Sequence, residues 1–135
     1  MPTRSEIIRA FIPESPFAGL TGLRLESLEA DAAVLVLPFR PELATIGEVV
    51  HGGAISTLID TAAMAAAWAN DEVPSSVAGS TVSLTVNFVA AATGKDLRAS
   101  ARVRRRGGRL CFVDVDVAEP DGRLVAEAMA VYRLG

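Results

Sequence analysis

The sequence VVHGGAISTLIDT at residues 49–61 places a histidine and two glycines at the start of a long apolar segment. Gly52 and Gly53 have no Cβ, so a ligand can approach their backbone closely. The first N–H groups of a helix have no partner within the helix, and they lie at the positive end of its dipole. The motif therefore predicts a helix start that can stabilise an oxygen on which negative charge develops.

The predicted helix runs from Gly52 to Asn70 and is apolar on nearly every face, which is typical of a buried helix. Its polar residues fall at spacings of one, three and four and form one stripe, made of Ser56, Thr57, Asp60 and Thr61. Asp60 has no ion-pair partner in this helix, and an unpaired carboxylate in apolar surroundings costs several kcal/mol. Because perturbed carboxylates gather at active sites, we expect Asp60 to act as a base or a nucleophile.

Composition predicts a single domain over residues 1–135. Half of the 135 residues are hydrophobic, which is enough for a core without disulfides or metal. The net charge of −3 argues against general nucleic-acid binding. Positive charge is nevertheless concentrated in one segment, as either a phosphate-binding patch or a solvated strand edge. The arginines of this segment are Arg102, Arg104, Arg105, Arg106 and Arg109.

Two residue types that often carry chemistry occur once each. Cys111 lies in the apolar run LCFV, so we expect it to behave as a small hydrophobe rather than as a nucleophile. His51 has no cysteine or second histidine near it, so no metal site is expected. Neither a signal peptide nor an apolar run of bilayer length is visible, and we expect a soluble cytoplasmic protein without a membrane partner.

The segments around the central helix predict antiparallel strands. A short helix over Ser5–Phe11 should end at Pro13 and Pro16, and residues 41–50 should form a loop. Six segments are predicted as strands, which are 22–29, 33–39, 75–89, 95–105, 109–118 and 123–132. Apolar and polar residues alternate in 22–29, 95–105 and 109–118, and residues 33–39 are rich in β-branched and other strand-forming residues. Turn residues separate the last three segments. We therefore expect an α+β fold in which a sheet of five or six antiparallel strands curls around one long helix.

With this fold, the HGG motif and an acidic residue nine positions after the histidine resemble one known family. The chain is similar to the hotdog-fold acyl-CoA thioesterases, in particular the phenylacetic-acid-degradation type. The similarity extends from Phe17 to Tyr132 and includes TVSLTVNF at 81–88 and RRRG at 104–107. It implies hydrolysis of an aryl- or medium-chain acyl-CoA, sites shared across a homodimer, and frequent assembly into tetramers. No cofactor is expected, because CoA is part of the substrate.

The same resemblance implies a role for each matching residue. Gly52 N–H would polarise the thioester carbonyl, with Gly53 beside it, while Asp60 supplies the base or nucleophile. His51 would position the thioester, or serve only as a hydrogen-bonded structural residue. Thr45 stands where many relatives carry an asparagine that helps to hold the thioester. The other substrate-binding residues would be Thr81 for the attacking water, Phe88 for the acyl or pantetheine channel, and Arg105, Arg106, Gly107 and Arg109 for the nucleotide of CoA.

Helix geometry adds an independent expectation about assembly. Gly52 and Asp60 are eight residues apart, which separates them by about 12 Å along one helix. One thioester carbonyl cannot easily contact both groups. If both act on the same bond, one must come from a second subunit, which predicts an isologous dimer with two equivalent sites.

Two other functions remain open from the sequence. A hotdog hydratase or dehydratase would share the helix and sheet, but it would use a histidine and a carboxylate as an acid–base pair on a hydroxyacyl chain. A non-catalytic acyl-CoA-binding protein would retain acyl-CoA without turnover. Three measurements distinguish these functions. A thioesterase releases free thiol from acyl-CoA, a hydratase or dehydratase changes the absorbance of enoyl-CoA, and a binding protein retains acyl-CoA without reaction.

Overall fold

One long helix, α3, packs against all six strands of an antiparallel sheet in the computed structural model, which describes residues 1–135. This arrangement confirms the α+β hotdog fold with six strands rather than five. The sheet order is β1-β2-β6-β7-β8-β5, and β3 and β4 form a separate small hairpin.

The elements have the following bounds. The helices are α1 (Arg4–Glu14), α2 (Pro16–Thr21) and α3 (Gly52–Ala67), with a 3-10 turn at Pro41–Leu43. The strands are β1 (Arg24–Glu29), β2 (Ala32–Leu37), β3 (Ala44–Ile46), β4 (Val49–Val50), β5 (Gly79–Phe88), β6 (Leu97–Arg106), β7 (Leu110–Ala118) and β8 (Leu124–Leu134).

Helix α3 ends at Ala67 rather than at the predicted Asn70, and three other segments also differ from the sequence prediction. Helix α1 continues through Pro13 and ends only before Pro16, which starts the unpredicted α2 because the first helical position does not need an N–H donor. Strand β5 begins at Gly79 instead of Ser75, because the Ser76 hydroxyl accepts the Ala78 N–H and forms a local turn. The predicted loop at 41–50 contains the 3-10 turn and the β3–β4 hairpin.

Small side chains allow α3 to lie close to the sheet. Its fully buried residues include five alanines between Ala62 and Ala67, together with Leu58 and Ile59. Burial of nearly the whole helix circumference supplies most of its stability. The polar stripe of Ser56, Thr57, Asp60 and Thr61 is the half-buried remainder, as the sequence predicted.

Residues far apart in the sequence fix the carboxyl end of α3. Arg106 donates to the Ala67 carbonyl at 2.9 Å and forms an ion pair with Asp31 at 2.6 Å. Asp31 adopts a left-handed backbone conformation with φ of 60° in the β1–β2 turn, and its N–H donates to the Ala69 carbonyl. These contacts hold the helix in one position along the sheet.

Strand β5 forms one edge of the sheet, with β8 as its only neighbour. Its ten residues therefore present a row of backbone groups without partners in this chain. Val82 and Phe88 on this strand are more than half exposed. None of the helices is long and apolar enough to cross a bilayer.

Candidate active site

His51 starts helix α3 and uses its ring as the cap. The Gly53 N–H donates to His51 Nδ1 at 2.7 Å, so the neutral ring carries its hydrogen on Nε2. A Cβ on Gly53 would lie 2.9 Å from that nitrogen, which explains the glycine at this position. We expected both glycine amides to be open to a ligand, but the Gly53 amide is engaged within the chain.

Gly52 retains the open amide of the helix start. Its N–H donates to no acceptor in the chain. A Cβ on Gly52 would touch the Phe88 ring at 3.4 Å, so the ring at the end of β5 covers one side of this backbone position. The structure thus brings Gly52 and Phe88 together at the amino end of α3, where a developing negative charge is favoured.

Asp60 lies two turns further along α3 and faces strand β5. The Thr81 hydroxyl donates to Asp60 Oδ1 at 2.6 Å, while Oδ2 has no partner in the chain. Asp60 has no ion pair and is half-buried. The carboxylate is therefore held in one orientation with one oxygen free, which suits a base or a nucleophile.

The open amide and the carboxylate do not meet within one chain. Gly52, Ser56 and Asp60 form one row at spacings of four residues, and eight residues of helix separate its ends by about 12 Å. Their neighbours on β5, Phe88 and Thr81, are likewise at opposite ends of that strand. The candidate site therefore consists of two separate pairs, Gly52 with Phe88 and Asp60 with Thr81.

A groove of about 430 Å³ lies beside the helix start, between α2 and the β3–β4 hairpin. His51, Gly53 and Thr57 line one wall of the groove, and Leu43 and Ala44 line the other. Thr45 is exposed, makes no hydrogen bond, and is absent from this wall, because side chains alternate along a strand. The structure does not bring Thr45 to the groove.

The arginines divide into two groups. The guanidinium of Arg106 donates to Asp31, the Ala67 carbonyl and the Cys111 sulfur. Contrary to our expectation, it is therefore not open to a CoA phosphate. Arg105 and Arg109 are exposed and form no ion pair, on either side of the turn that contains Gly107. Only these two of the predicted phosphate contacts have free guanidinium groups.

Tyr132, beside Thr81, and Trp68, which contacts Tyr132, were not identified as site residues from the sequence. Tyr132 is the direct neighbour of Thr81 on strand β8, and its hydroxyl accepts a hydrogen bond from the Trp68 indole at 3.2 Å. Burial raises the pKa of Tyr132, and the negative charge of Asp60 contributes in the same direction. No motif or spacing marks either residue, because their proximity depends on strand register.

Cys111 is fully buried between Tyr132 and Arg106. Burial raises the pKa of its thiol, which therefore stays protonated near neutral pH. It packs as the small hydrophobe that its apolar neighbours predicted.

Comparison with known proteins gives a consistent result. The thioesterase superfamily model matches residues 47–126, more than half of the chain. A Saccharolobus solfataricus protein named as a putative esterase is 30% identical over 111 residues, which cover 82% of this chain and 76% of the relative.

Two solved structures share the whole architecture. A thioesterase family protein from Silicibacter pomeroyi has a TM-score of 0.87 at 26% identity, with 96% of both chains covered. A Ralstonia eutropha protein described as a putative thioesterase related to phenylacetic acid degradation has a TM-score of 0.81 at 25% identity. The match covers 97% of this chain and 98% of that one. The resemblance inferred from the HGG motif is confirmed, and the chain belongs to the thioesterase superfamily, with the hotdog fold of a thioester hydrolase.

Proposed function

We propose that the protein hydrolyses acyl-CoA thioesters at two equivalent sites, each built from Gly52 of one subunit and Asp60 of the other. The observation that carries this proposal is the separation of an open helix amide and an oriented carboxylate along one row of α3. Each group alone is half of a site for acyl transfer. A two-fold axis between them would complete both halves at once.

The free edge of β5 supports pairing with a second copy. Edge strands of this length are normally covered or protected, and β5 has neither a proline nor a charged residue. In antiparallel pairing, side chains that lie opposite each other share one face of the sheet. Leu84, Val86 and Phe88 face the helix, and a bulge before Ser83 also lets Thr81 face it.

These positions select one register. With the two-fold axis at Thr85, Leu84 lies opposite Val86 of the other copy, and Phe88 lies opposite the bulge that carries Thr81. The midpoint of the helix row is Ser56, whose small side chain allows two copies of α3 to approach. The strand register and the midpoint of the helix row therefore support the same two-fold axis. This axis would bring Asp60 of one copy towards Gly52 of the other.

The reaction follows from these groups. Water adds to the thioester carbonyl while Asp60 takes its proton, and Gly52 N–H stabilises the oxyanion that forms. The C–S bond then breaks, and the CoA thiolate leaves with that proton. In the alternative route Asp60 attacks the carbonyl directly, CoA leaves, and water hydrolyses the resulting anhydride. When water attacks the Asp60 carbonyl carbon of this anhydride, the bridging Asp60 oxygen leaves with the acyl group and the water oxygen stays in Asp60. A single turnover in ¹⁸O-water detects this route, because the product acid is then unlabelled and Asp60 carries ¹⁸O, whereas direct attack of water on the thioester labels the product.

The proposed substrate is an aryl- or medium-chain acyl-CoA, and no cofactor takes part. Exposed Arg105 and Arg109 suit the phosphates of the nucleotide, since guanidinium groups pair well with phosphate. The proposed location is the cytoplasm. Further pairing of dimers into tetramers belongs to the same proposal and would be measured by light scattering.

Release of free thiol from a panel of acyl-CoA substrates tests the proposal. Asp60→Asn removes the charge at nearly constant volume, and we expect its turnover to fall by about 10² to 10⁴-fold while the dimer persists. Unchanged turnover would remove Asp60 from the mechanism. Turnover of enoyl-CoA without thiol release would favour a hydratase, and retention of acyl-CoA without any reaction would favour a binding protein.

A further inference from the structure

A second cavity lies on the other side of Asp60 from the helix start. It has a volume of about 440 Å³, within the range of ligand pockets, and all but one of its lining residues are hydrophobic. Its walls come from α1, from the second half of α3 and from the segment that leads into β5. We call it the α1–α3 cavity.

The wall of the α1–α3 cavity comes within one helical turn of Asp60. Met64, in its wall, follows Asp60 by one helical turn, so both side chains lie on the same face of α3. Gly79 and Tyr132, also in the wall, flank Thr81, which holds Asp60 by a hydrogen bond. An acyl chain attached to a carbonyl at Asp60 would therefore enter the cavity directly.

Trp68 and Tyr132 are the buried aromatic residues of the cavity wall. Both are at least 95% buried, and the hydrogen bond between them fixes the two rings. A Cβ on Gly79 would lie 2.5 Å from the Tyr132 hydroxyl, so the strand and the ring are in close contact. This part of the wall is rigid and is formed by aromatic groups.

The outer rim is apolar but exposed. Phe11 of α1 is 50% exposed and Val77 is 74% exposed. Exposed apolar side chains at the rim of a concave apolar surface are typical of a binding groove. Helix α1 is itself anchored, because Ser5 donates to the Asn70 carbonyl and Arg4 pairs with Glu72. The rim is therefore a fixed wall.

We propose that the α1–α3 cavity holds the acyl group of the substrate, and that Met64 and Phe11 determine the largest acyl group accepted. This inference rests on the proposed thioesterase function and adds the residues that select the substrate. Met64 lies between Asp60 and Trp68 along α3, and Phe11 lies at the exposed rim. A neighbouring depression of about 140 Å³ shares both residues, so the space beside Met64 extends along α1.

The test compares kcat/KM for acetyl-, octanoyl- and phenylacetyl-CoA in four proteins. Met64→Phe places a larger side chain in the cavity and reduces its volume. Between octanoyl- and phenylacetyl-CoA, we take the better substrate of the unaltered protein and expect the ratio of its kcat/KM to that of acetyl-CoA to fall about tenfold or more. Phe11→Ala removes one wall, and we expect the preference to move towards octanoyl-CoA. Met129→Phe is the matched control, because Met129 is exposed on the outer face of the sheet and should leave the ratios unchanged.

Each outcome decides the proposal. Equal loss with all substrates in Met64→Phe, or unchanged ratios in both cavity variants, would overturn the assignment of the cavity while thioester hydrolysis stands. Absence of thiol release from every acyl-CoA in the unaltered protein would overturn the proposed function and the cavity assignment with it. Phe11 is half exposed, so Phe11→Ala gives a folded protein even if the larger residue at Met64 disturbs the core.

Discussion

Adjacent glycines at the start of α3 are present for different physical reasons. Gly53 leaves room for the ring of His51, whereas Gly52 leaves an open amide beside Phe88. The sequence indicated the helix start and its glycines, because a capping position followed by an apolar run is a local pattern. It could not indicate which amide stays free, since that depends on the side-chain conformation of His51.

Substitutions of His51 separate its capping role from any role of Nε2. Asparagine is a good helix cap but lacks the ring, so His51→Asn should keep the stability of the protein while changing kcat/KM if Nε2 contacts the thioester. His51→Ala should cost about 1 kcal/mol in the free energy of unfolding. Thermal denaturation and thiol release measure the two effects. Full activity in His51→Asn would leave His51 with a structural role alone.

Elements with a clear hydrophobic period were predictable from the sequence. Features that depend on single local turns or on contacts between distant residues were not. The apolar helix and the alternating strands β6, β7 and β8 follow from patterns within each segment. The short α2, which starts at Pro16, and the late start of β5, which follows the turn at Ser76, are not marked by a hydrophobic period. Arg106 was assigned to a phosphate because its partner, Asp31, lies 75 residues away in the sequence.

The arginines at the β6–β7 turn should therefore separate in function. Arg105→Ala combined with Arg109→Ala should raise KM for acyl-CoA more than KM for an acyl thioester that lacks the nucleotide, with little change in stability. Arg106→Ala should instead cost about 1 to 3 kcal/mol in stability, because it leaves the Ala67 carbonyl and Asp31 without their donor. Steady-state kinetics and denaturant unfolding make the comparison. An equal rise in KM for both thioesters would exclude contacts of Arg105 and Arg109 with the CoA phosphates.

The arrangement of the whole molecule is the basis for proposing a site that is completed by a second subunit. The sequence predicted a shared site from the eight-residue separation of Gly52 and Asp60, because helix rise is fixed. It could not predict the axis, which depends on the sheet order that leaves β5 at the edge and on the bulge that turns Thr81 inward. Both are properties of the assembled sheet.

A disulfide at the proposed axis tests the register. Opposed residues of antiparallel strands have Cα atoms about 5 Å apart, within reach of a disulfide, so Thr85→Cys should give a covalent dimer on oxidation. Asn87→Cys should not give a covalent dimer, because the two cysteines at position 87, one in each subunit, would be about 13 Å apart along the strands. A mixture of Asn87→Cys and Ser83→Cys should cross-link, since these residues would face each other. Non-reducing electrophoresis shows each product. Covalent dimers formed by the Asn87→Cys variant without the Ser83→Cys variant would show that the axis does not lie at Thr85.

Complementation between two inactive variants tests the shared site most directly. Gly52→Pro removes the open N–H at a helix position that tolerates proline, and Asp60→Asn removes the charged carboxylate. Each variant alone should be nearly inactive. When the two are unfolded and refolded together, half of the dimers are mixed and one of their two sites is intact, so we expect about a quarter of full activity. Activity no higher than that of the separate variants would contradict a site built from two subunits.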